Sequence, residues 1–531
     1  MSRNNIFFIT ATLIMLMITG NINAQAPNFS PVISASFGGS SSEEFFGAAK
    51  TADGGYILSG LTNSYDGDIN QTVVYDTANT FVVRTDASGN KLWAYAYGGN
   101  DYDKARFAFE DNASNIIVIG TTFSTDGDIT FNNGNSDLFV LKLDPSGNII
   151  WMKQYGGTGN ESGRYAEQLS DGNYLVGGYT TSSNFDVPIN RGAHDGWLLK
   201  IDTSGTVIWS NTYGGSQGER LRYFVEAPDG SIYFAGASQS SDFQCSGNQG
   251  DFDFWVGKTD ASGNLLWNYQ YGGSLGDAGY QIAAISDNRY VLTGNTESSD
   301  GDVTGYKGGT TDGWVVMVDS SGQFIRQACL GGTRGDRLYN TLEKEPGHLI
   351  AAGFSSSSDL DLTGANNGPT NEFWLVSLDT LLQHQWSYAT GGSGGDLGTE
   401  LIYDPADSSF TIVGESNSVN GTVTGNHGGV DFWMVKLAVS TGIASADENL
   451  FSAWYQHFSH TVVIRSSQQQ HAVLNVYDAL GRSIQPATDL KLASGENRIA
   501  LPALAGSPGG LYFISVKGPQ SDISLRVITT R

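Results

Sequence analysis

One set of Gly-Gly pairs recurs in phase at seven places along the 531-residue chain, at Gly38-Gly39, Gly98-Gly99, Gly156-Gly157, Gly214-Gly215, Gly272-Gly273, Gly331-Gly332 and Gly391-Gly392. Successive pairs lie 58 to 60 residues apart. Self-similarity at one long period commits a chain to an array of like units, each too small to bury its own apolar face.

The fifth unit shows what each one holds. Tyr280 to Ile285 reads as a first strand, Tyr290 to Thr296 as a second, Trp314 to Val318 as a third and Gln323 to Leu330 as a fourth. Asp319-Ser320-Ser321-Gly322 is a tight-turn sequence, since Asp and Gly accept the backbone angles that hairpins require. Three features recur. The second strand carries Gly-x-[Ser/Thr]-x-Ser, as in Gly60 to Ser64 and Gly414 to Ser418. The third carries an aromatic, at Phe81, Phe139, Trp197, Trp255, Trp314, Trp374 and Trp433. The fourth carries Trp93, Trp151, Trp209, Trp267 and Trp386, with Ile33 and Arg326 in the other two units. Large rings packed against glycines of the neighbouring unit suit wedge-shaped sheets. The seventh unit stops after its third strand, Trp433 to Leu437, while Val32 to Phe37 matches the end of a unit. The first strand is therefore expected to complete the last sheet and remove its open edge. The fold class expected is all-β: a seven-bladed β-propeller with N-terminal strand closure, followed by a small C-terminal β-sandwich.

The termini and the composition set the context. A single cation, Arg3, precedes the apolar run Ile6 to Ile18 and then Asn21-Ile22-Asn23-Ala24, the pattern of a signal peptide over residues 1–24. That run is too short for a spanning helix, and no later segment is apolar enough to span. The net charge of −26 disfavours nucleic acid and anionic membrane as partners. Cys245 and Cys329 fall in different units, so no disulfide framework or Cys-x-x-Cys metal site is readable, and free unreactive thiols are expected.

Asp53-Gly54-Gly55-Tyr56, the Asp-Gly-Trp triplets and Asp-x-Ser-Gly-x-x-x-Trp-x-x-x-Tyr-Gly-Gly resemble short β-propeller repeat families of secreted bacterial proteins, over residues 31–442. Those families share a fold and no common activity. The turn also resembles the sialidase Asp-box, a structural hairpin. After Leu437 the period is lost: residues 25–442 are assigned to the propeller, 443–449 to a linker and 450–531 to the sandwich. Leu474 to Arg482 and Gly509 to Val516 resemble the C-terminal sorting domain of type IX secretion substrates. The resemblance implies passage to the outer cell surface or the medium, with the secretion machinery as partner. The usual Tyr-Pro-Asn-Pro entry is replaced by Trp454-Tyr455-Gln456-His457, and the chain ends Thr-Thr-Arg instead of in a lysine-rich tail.

An acid stands four residues after each Gly-Gly, at Glu43, Asp103, Glu161, Glu219, Asp277, Asp336 and Asp396. One site does not need seven copies, so these acids read as scaffold, accepting backbone N–H bonds where units join. The loops after the second strands hold Asp66-Gly67-Asp68, Asp126-Gly127-Asp128 and Asp300-Gly301-Asp302. Oxygen ligands flanking a glycine suit Ca²⁺, so Asp66, Asp68, Asp126, Asp128, Asp300 and Asp302 are candidate calcium ligands, with plain Asx turns as the alternative. Differences between units point elsewhere. Seven residues after the Gly-Gly lie Phe46, Arg106, Arg164, Arg222, Tyr280, Tyr339 and Thr399. Arg106, Arg164 and Arg222 suit a carboxylate or sulfate, and Tyr280 and Tyr339 suit stacking on a sugar, so these five are the candidate ligand site at a channel mouth. Alternatively each arginine pairs with the acid three residues before it, as Arg164 with Glu161. The Gly-x-Ser-x-Gly spacings at Gly214 to Gly218, Gly272 to Gly276 and Gly391 to Gly395 fall on the repeated Gly-Gly connections and make no nucleophile elbow, and no His-Glu-x-x-His or phosphate loop occurs. The reading is an exported binding or surface protein for a glycan or surface protein. A carbohydrate-active enzyme, lyase or glycosidase, with its site on the acidic loop face, is the alternative.

Overall fold

A computed structural model describes residues 26–69, 77–129, 131–365, 370–440, 442–443, 451–456, 461–466, 469–505, 507, 510–517 and 522–529. The expected signal peptide lies outside the described residues. Across the repeats the chain is all-β, built of four-stranded antiparallel sheets. The fifth unit's strands run Asp277–Ile285, Arg289–Thr296, Asp312–Asp319 and Phe324–Leu330, in that spatial order. Each sheet packs on the next in sequence, and the sheet of Glu43–Lys50 also packs against the strands Asp396–Asp404, Ser409–Ser416 and Asp431–Ser440.

The missing strand is found where the sequence placed its complement. Asn28–Phe37 pairs antiparallel with Asp431–Ser440, with Ala35 opposite Met434. One side chain demonstrates the equivalence. The buried indoles of Trp197, Trp255, Trp314 and Trp374 each donate to a polar side chain thirteen residues on, at Ser210 (2.9 Å), Asn268 (3.0 Å), Gln327 (2.7 Å) and Ser387 (3.1 Å). Trp433 has no such residue ahead of it and donates instead to Ser34 Oγ, 3.1 Å away, on the N-terminal strand. An indole N–H buried without a partner costs about 1–3 kcal/mol, so this bond helps set the register of the closing strand.

The repeated acids act as junction bolts. All seven are inaccessible to solvent. Glu161 accepts from Gly157 N (2.8 Å) and from Thr180 Oγ1 (2.6 Å), while its own N–H donates to Ser136 O of the preceding sheet (2.8 Å). Asp336 repeats the pattern with Gly332 N (2.8 Å), Ser357 Oγ (2.8 Å) and Thr311 O (2.8 Å). Thus the Gly-Gly, the acid and the Ser/Thr of the second strand form one unit of hydrogen bonding. The fourth-strand tyrosine adds a second bolt: Tyr97, Tyr155 and Tyr213 donate to the turn carbonyls of Gly147, Gly205 and Gly263 in the next sheet, at 2.7, 2.6 and 2.6 Å. The fourth-strand tryptophans pack there too, Trp209 over Gly263 and Trp267 over Gly322. The Asp-x-Ser-Gly turns are structural hairpins; Asp144 accepts from Ser146 N and Asn148 N, both at 2.9 Å.

Beyond the repeats are a five-stranded sheet and a three-stranded sheet. Val462 and Ile464 of one share a buried core with Leu474, Val476, Ile514 and Val527 of the other. Pairing with this region begins at Gly442–Ile443, opposite Asp522–Thr529, so these residues, counted with the repeats or the linker on sequence, belong to its sheet. Among the described residues no helix is long and apolar enough to cross a membrane.

Candidate functional site

The innermost strands meet around a cavity of about 370 Å³. Its wall contains all seven residues of the position singled out in the sequence: Phe46, Arg106, Arg164, Arg222, Tyr280, Tyr339 and Thr399. The structure therefore brings together the five candidate ligand-site residues. It also explains why that position is special. Each inner strand carries a register shift at this residue, as between Gly163 and Tyr165 around Arg164. A bulge of one extra residue breaks the strict alternation of side chains, so two consecutive residues face the cavity. The following residues, Phe107, Tyr165, Tyr223, Gln281, Asn340 and Glu400, line it as well. These were not singled out on sequence, because a regular strand would turn them away.

The bulge depends on the glycine opposite. Arg164 bulges between the pairs Gly163–Gly178 and Tyr165–Gly177. A Cβ on Gly178 would fall on the carbonyl oxygen of Ser162, and one on Gly236 or Gly353 would meet the carbonyl of Arg220 or Arg337 in the same way. The invariant glycine of Gly-x-[Ser/Thr]-x-Ser thus makes room for the bulge.

The arginines do not pair with the junction acids, whose oxygens are taken by backbone and hydroxyl donors except at Asp103 Oδ1. Among the described residues Arg106, Arg164 and Arg222 form no ion pair, and the Nε atom of each is buried without an acceptor. They are held by aromatic faces instead: Arg106 lies over Phe46 (4.0 Å), Arg222 over Tyr280 (4.3 Å) and Arg164 over Tyr179 (5.2 Å). Burial, and then the neighbouring Arg164, push Arg106 below the usual guanidinium range. Burial, and then Arg106 and Arg164, push Lys104 down to about 8. Mutual repulsion of this kind marks a place where a bound anion gains energy.

Behind Arg164 stands a second group. Its Nη2 donates to the Tyr179 hydroxyl at 3.3 Å, and Arg220 Nε donates to His194 Nε2 at 3.3 Å. Burial raises the Tyr179 phenol, but Arg164 and Arg106 outweigh it and hold it at about 8. Burial, then Arg220 and Arg164, push His194 down to about 4, so it is neutral near pH 7. The first and last sheets bring acids to the wall. Glu44, Glu400 and Glu415 line it, with Glu400 Oε2 accepting from Asn340 (3.0 Å) and Glu415 Oε2 from Phe45 N (3.1 Å). Burial pushes Glu400 up to about 8 and Glu415 up to about 7.

The six candidate calcium ligands lie outside this cavity, in loops, and each carboxylate clamps neighbouring backbone. Asp66, Asp126 and Asp300 accept from the N–H of Ser40, Asn100 and Ser274 at 2.7, 2.8 and 2.8 Å. Asp68, Asp128 and Asp302 accept from Gly38, Gly98 and Gly272 at 3.1, 3.2 and 3.3 Å, and Asp68 also meets Lys91 Nζ at 2.6 Å. Among the described residues no three His, Cys, Asp or Glu side chains gather as a metal would require. Cys245 and Cys329 are buried and free, and burial pushes both thiols up to about 12.

No family model matches the chain. It is 20% identical over 318 residues to the regulatory protein FlaEY of Caulobacter vibrioides, covering 54% of this chain and 33% of that one, so it spans about a third of that relative's length. Solved structures similar to it include the Neurospora crassa Pan2 WD40 domain, at 11% identity and TM-score 0.41 over 77% of this chain and 95% of that one. BamB from Moraxella catarrhalis is 14% identical at TM-score 0.33, over 77% and 99%. A polysaccharide lyase, an ulvan lyase bound to a saccharide, is 9% identical at TM-score 0.45, over 76% and 96%. The chain's own sheets, packed in sequence around a cavity lined by their inner strands, make its scaffold a β-propeller.

Proposed function

We propose that the protein is an exported seven-bladed propeller that binds an anionic ligand, a carboxylated or sulfated saccharide, at the mouth of its axial cavity. The observation that carries this reading is the set of three consecutive inner-strand arginines with no carboxylate partner among the described residues, stacked on aromatic rings in a cavity of ligand size. Tyr280 and Tyr339, with ring centroids 4.4 Å apart and tilted by 37°, add aromatic surface to the wall beside them, suited to contact with a sugar ring. A panel of uronate and sulfated saccharides tests it by calorimetry. Arg164→Ala is expected to weaken the best binder about tenfold or more, and raised salt to weaken it further. A panel without any anionic binder overturns the reading.

Export rests on the signal-peptide pattern and on the likeness of residues 450–531 to a type IX sorting domain, read as a β-sandwich. Residues 474–478 and 510–516 of the two motifs fall on neighbouring strands, Gln470–Asp478 and Gly510–Lys517. Deletion of residues 450–531 is expected to trap the protein in the periplasm; normal export of the shortened chain refutes the routing.

A second reading, a lyase, is favoured by Tyr179. A phenol that ionises near neutrality beside arginines is suited to removing the proton from the uronate carbon next to the carboxylate, as the C4=C5 double bond forms, the C4–O bond breaks and the leaving oxygen takes a proton from water. Cleavage would release unsaturated uronate ends, followed by ultraviolet absorbance, and Tyr179→Phe would abolish it. Saccharides bound but never cleaved leave only the binding role.

A further inference from the structure

We propose that the cavity selects a small zwitterion, a ligand that sets a carboxylate or sulfate against Arg106, Arg164 and Arg222 and a protonated amine against Glu400 and Glu415. This rests on the anion-binding reading of the same cavity and adds the opposite pole.

The order of the inner strands gives the polarity. Three successive sheets contribute Arg106, Arg164 and Arg222. The next two contribute Tyr280 with Gln281 and Tyr339 with Asn340, uncharged and able to stack or donate. The sheet that closes the ring contributes Glu400 and Glu415, and the first contributes the exposed Glu44. Around the cavity the charge thus passes from positive through neutral to negative.

The two poles do not neutralise each other. Among the described residues neither the arginines nor Glu400 and Glu415 take part in any ion pair. The Glu400 carboxyl accepts one amide hydrogen bond, from Asn340, and Glu415 one backbone bond, from Phe45. A buried carboxylate without a cation is costly, and here burial holds both carboxyls toward their neutral form. A buried guanidinium without an anion carries the same kind of cost. One molecule bearing both charges relieves both. A simple anion relieves only the guanidinium cost, and a simple cation meets three arginines. The cavity, about 370 Å³, limits the ligand to the size of an amino sugar acid or a short peptide.

Matched probes separate the poles and the sources. Muramic acid and N-acetylmuramic acid share one carboxylate and differ in the free amine. Tyrosylglycine and its N-acetyl form do the same for a peptide. On the full chain, titration calorimetry is expected to find the free-amine member of one pair bound about tenfold more tightly than its capped partner. The pair that shows the difference identifies the source as saccharide or peptide. Glu400→Gln is expected to erase that difference, and a melting curve matching that of the unaltered protein shows that the variant is folded. Glu415→Gln should reduce it as well. Equal binding of free and capped members in the unaltered protein overturns the zwitterion and leaves the anion site standing. Amine selectivity that survives both glutamate substitutions also overturns it. If none of the probes and no anionic saccharide binds, the anion reading falls with it.

Discussion

Gly178 shows how one missing side chain shapes the site. Its Cβ would occupy the place of the Ser162 carbonyl, so Gly178→Ala must shift the inner strand where it bulges at Arg164. The expected loss is about 2–4 kcal/mol, read from urea denaturation, together with weakened ligand binding. Alanine tolerated with an unchanged midpoint would refute the role of the glycine. The sequence displayed that glycine in every unit without displaying its purpose. The arginine and tyrosine positions were legible because they differ between units while their neighbours repeat. Tyr165, Tyr223, Gln281, Asn340 and Glu400 were not, because strict alternation turns them outward and a bulge has no local signature here beyond the glycine across from it. The pairing of Arg164 with Glu161, open on sequence, is excluded by Glu161's engagement with Gly157 and Thr180.

The sheet junctions carry an unusual electrostatic load. Beside each connection acid stands the residue that opens the third strand, as Asp137 beside Glu161 and Asp253 beside Asp277, with the glycine of the junction between them. Burial first, and the facing carboxyl second, push Asp137 up to about 6 and Asp253 and Asp312 up to about 7. Asp103 and Asp195 rise to about 6, again mainly through burial. The sign follows from proton counting. Between the ordinary aspartate value near 4 and these raised values the folded state binds more protons than the unfolded one, so stability falls as pH rises through that window. The hairpin aspartates act oppositely: hydrogen bonds from Asn90 lower Asp86 and those from Ser321 lower Asp319, and their contribution is lost below about pH 4. The protein should therefore be most stable near pH 4–5, with a melting temperature about 5 °C or more higher at pH 4.5 than at pH 7.5. A melting curve indifferent to pH across that range counts against the buried pairs. The strands themselves, their turns and their order were legible from Gly, Asp and aromatic spacing; the facing of acid on acid was not, because the partners lie in different units.

The whole ring is closed by a strand drawn from the other end of the repeats. Phe29 packs against Trp386 (5.5 Å) and Tyr388 (4.7 Å), and Ser34 satisfies Trp433, so deleting residues 28–37 removes packing and strands a buried indole. The loss is expected to exceed about 4 kcal/mol, measured as the shift of the denaturation midpoint; an unchanged midpoint would show that the last sheet does not need its fourth strand. Closure was legible because the count of strands in the last unit came out one short. The cavity's polarity was not legible, since it depends on which sheets lie across the ring from one another.

The inner-strand bulge has one more consequence. The hydrogen bonds repeated at the sheet junctions come from the junction acid, the Ser/Thr, the Gly-Gly and the fourth-strand tyrosine, while bulge residues join sheets in one arc, where Gln281 donates to Asn340 and Asn340 to Glu400. Outside that arc, recognition and assembly are written in separate letters of the same repeat. A chain of this design can exchange its bulge residues, unit by unit, and acquire a new chemical preference without renegotiating its architecture.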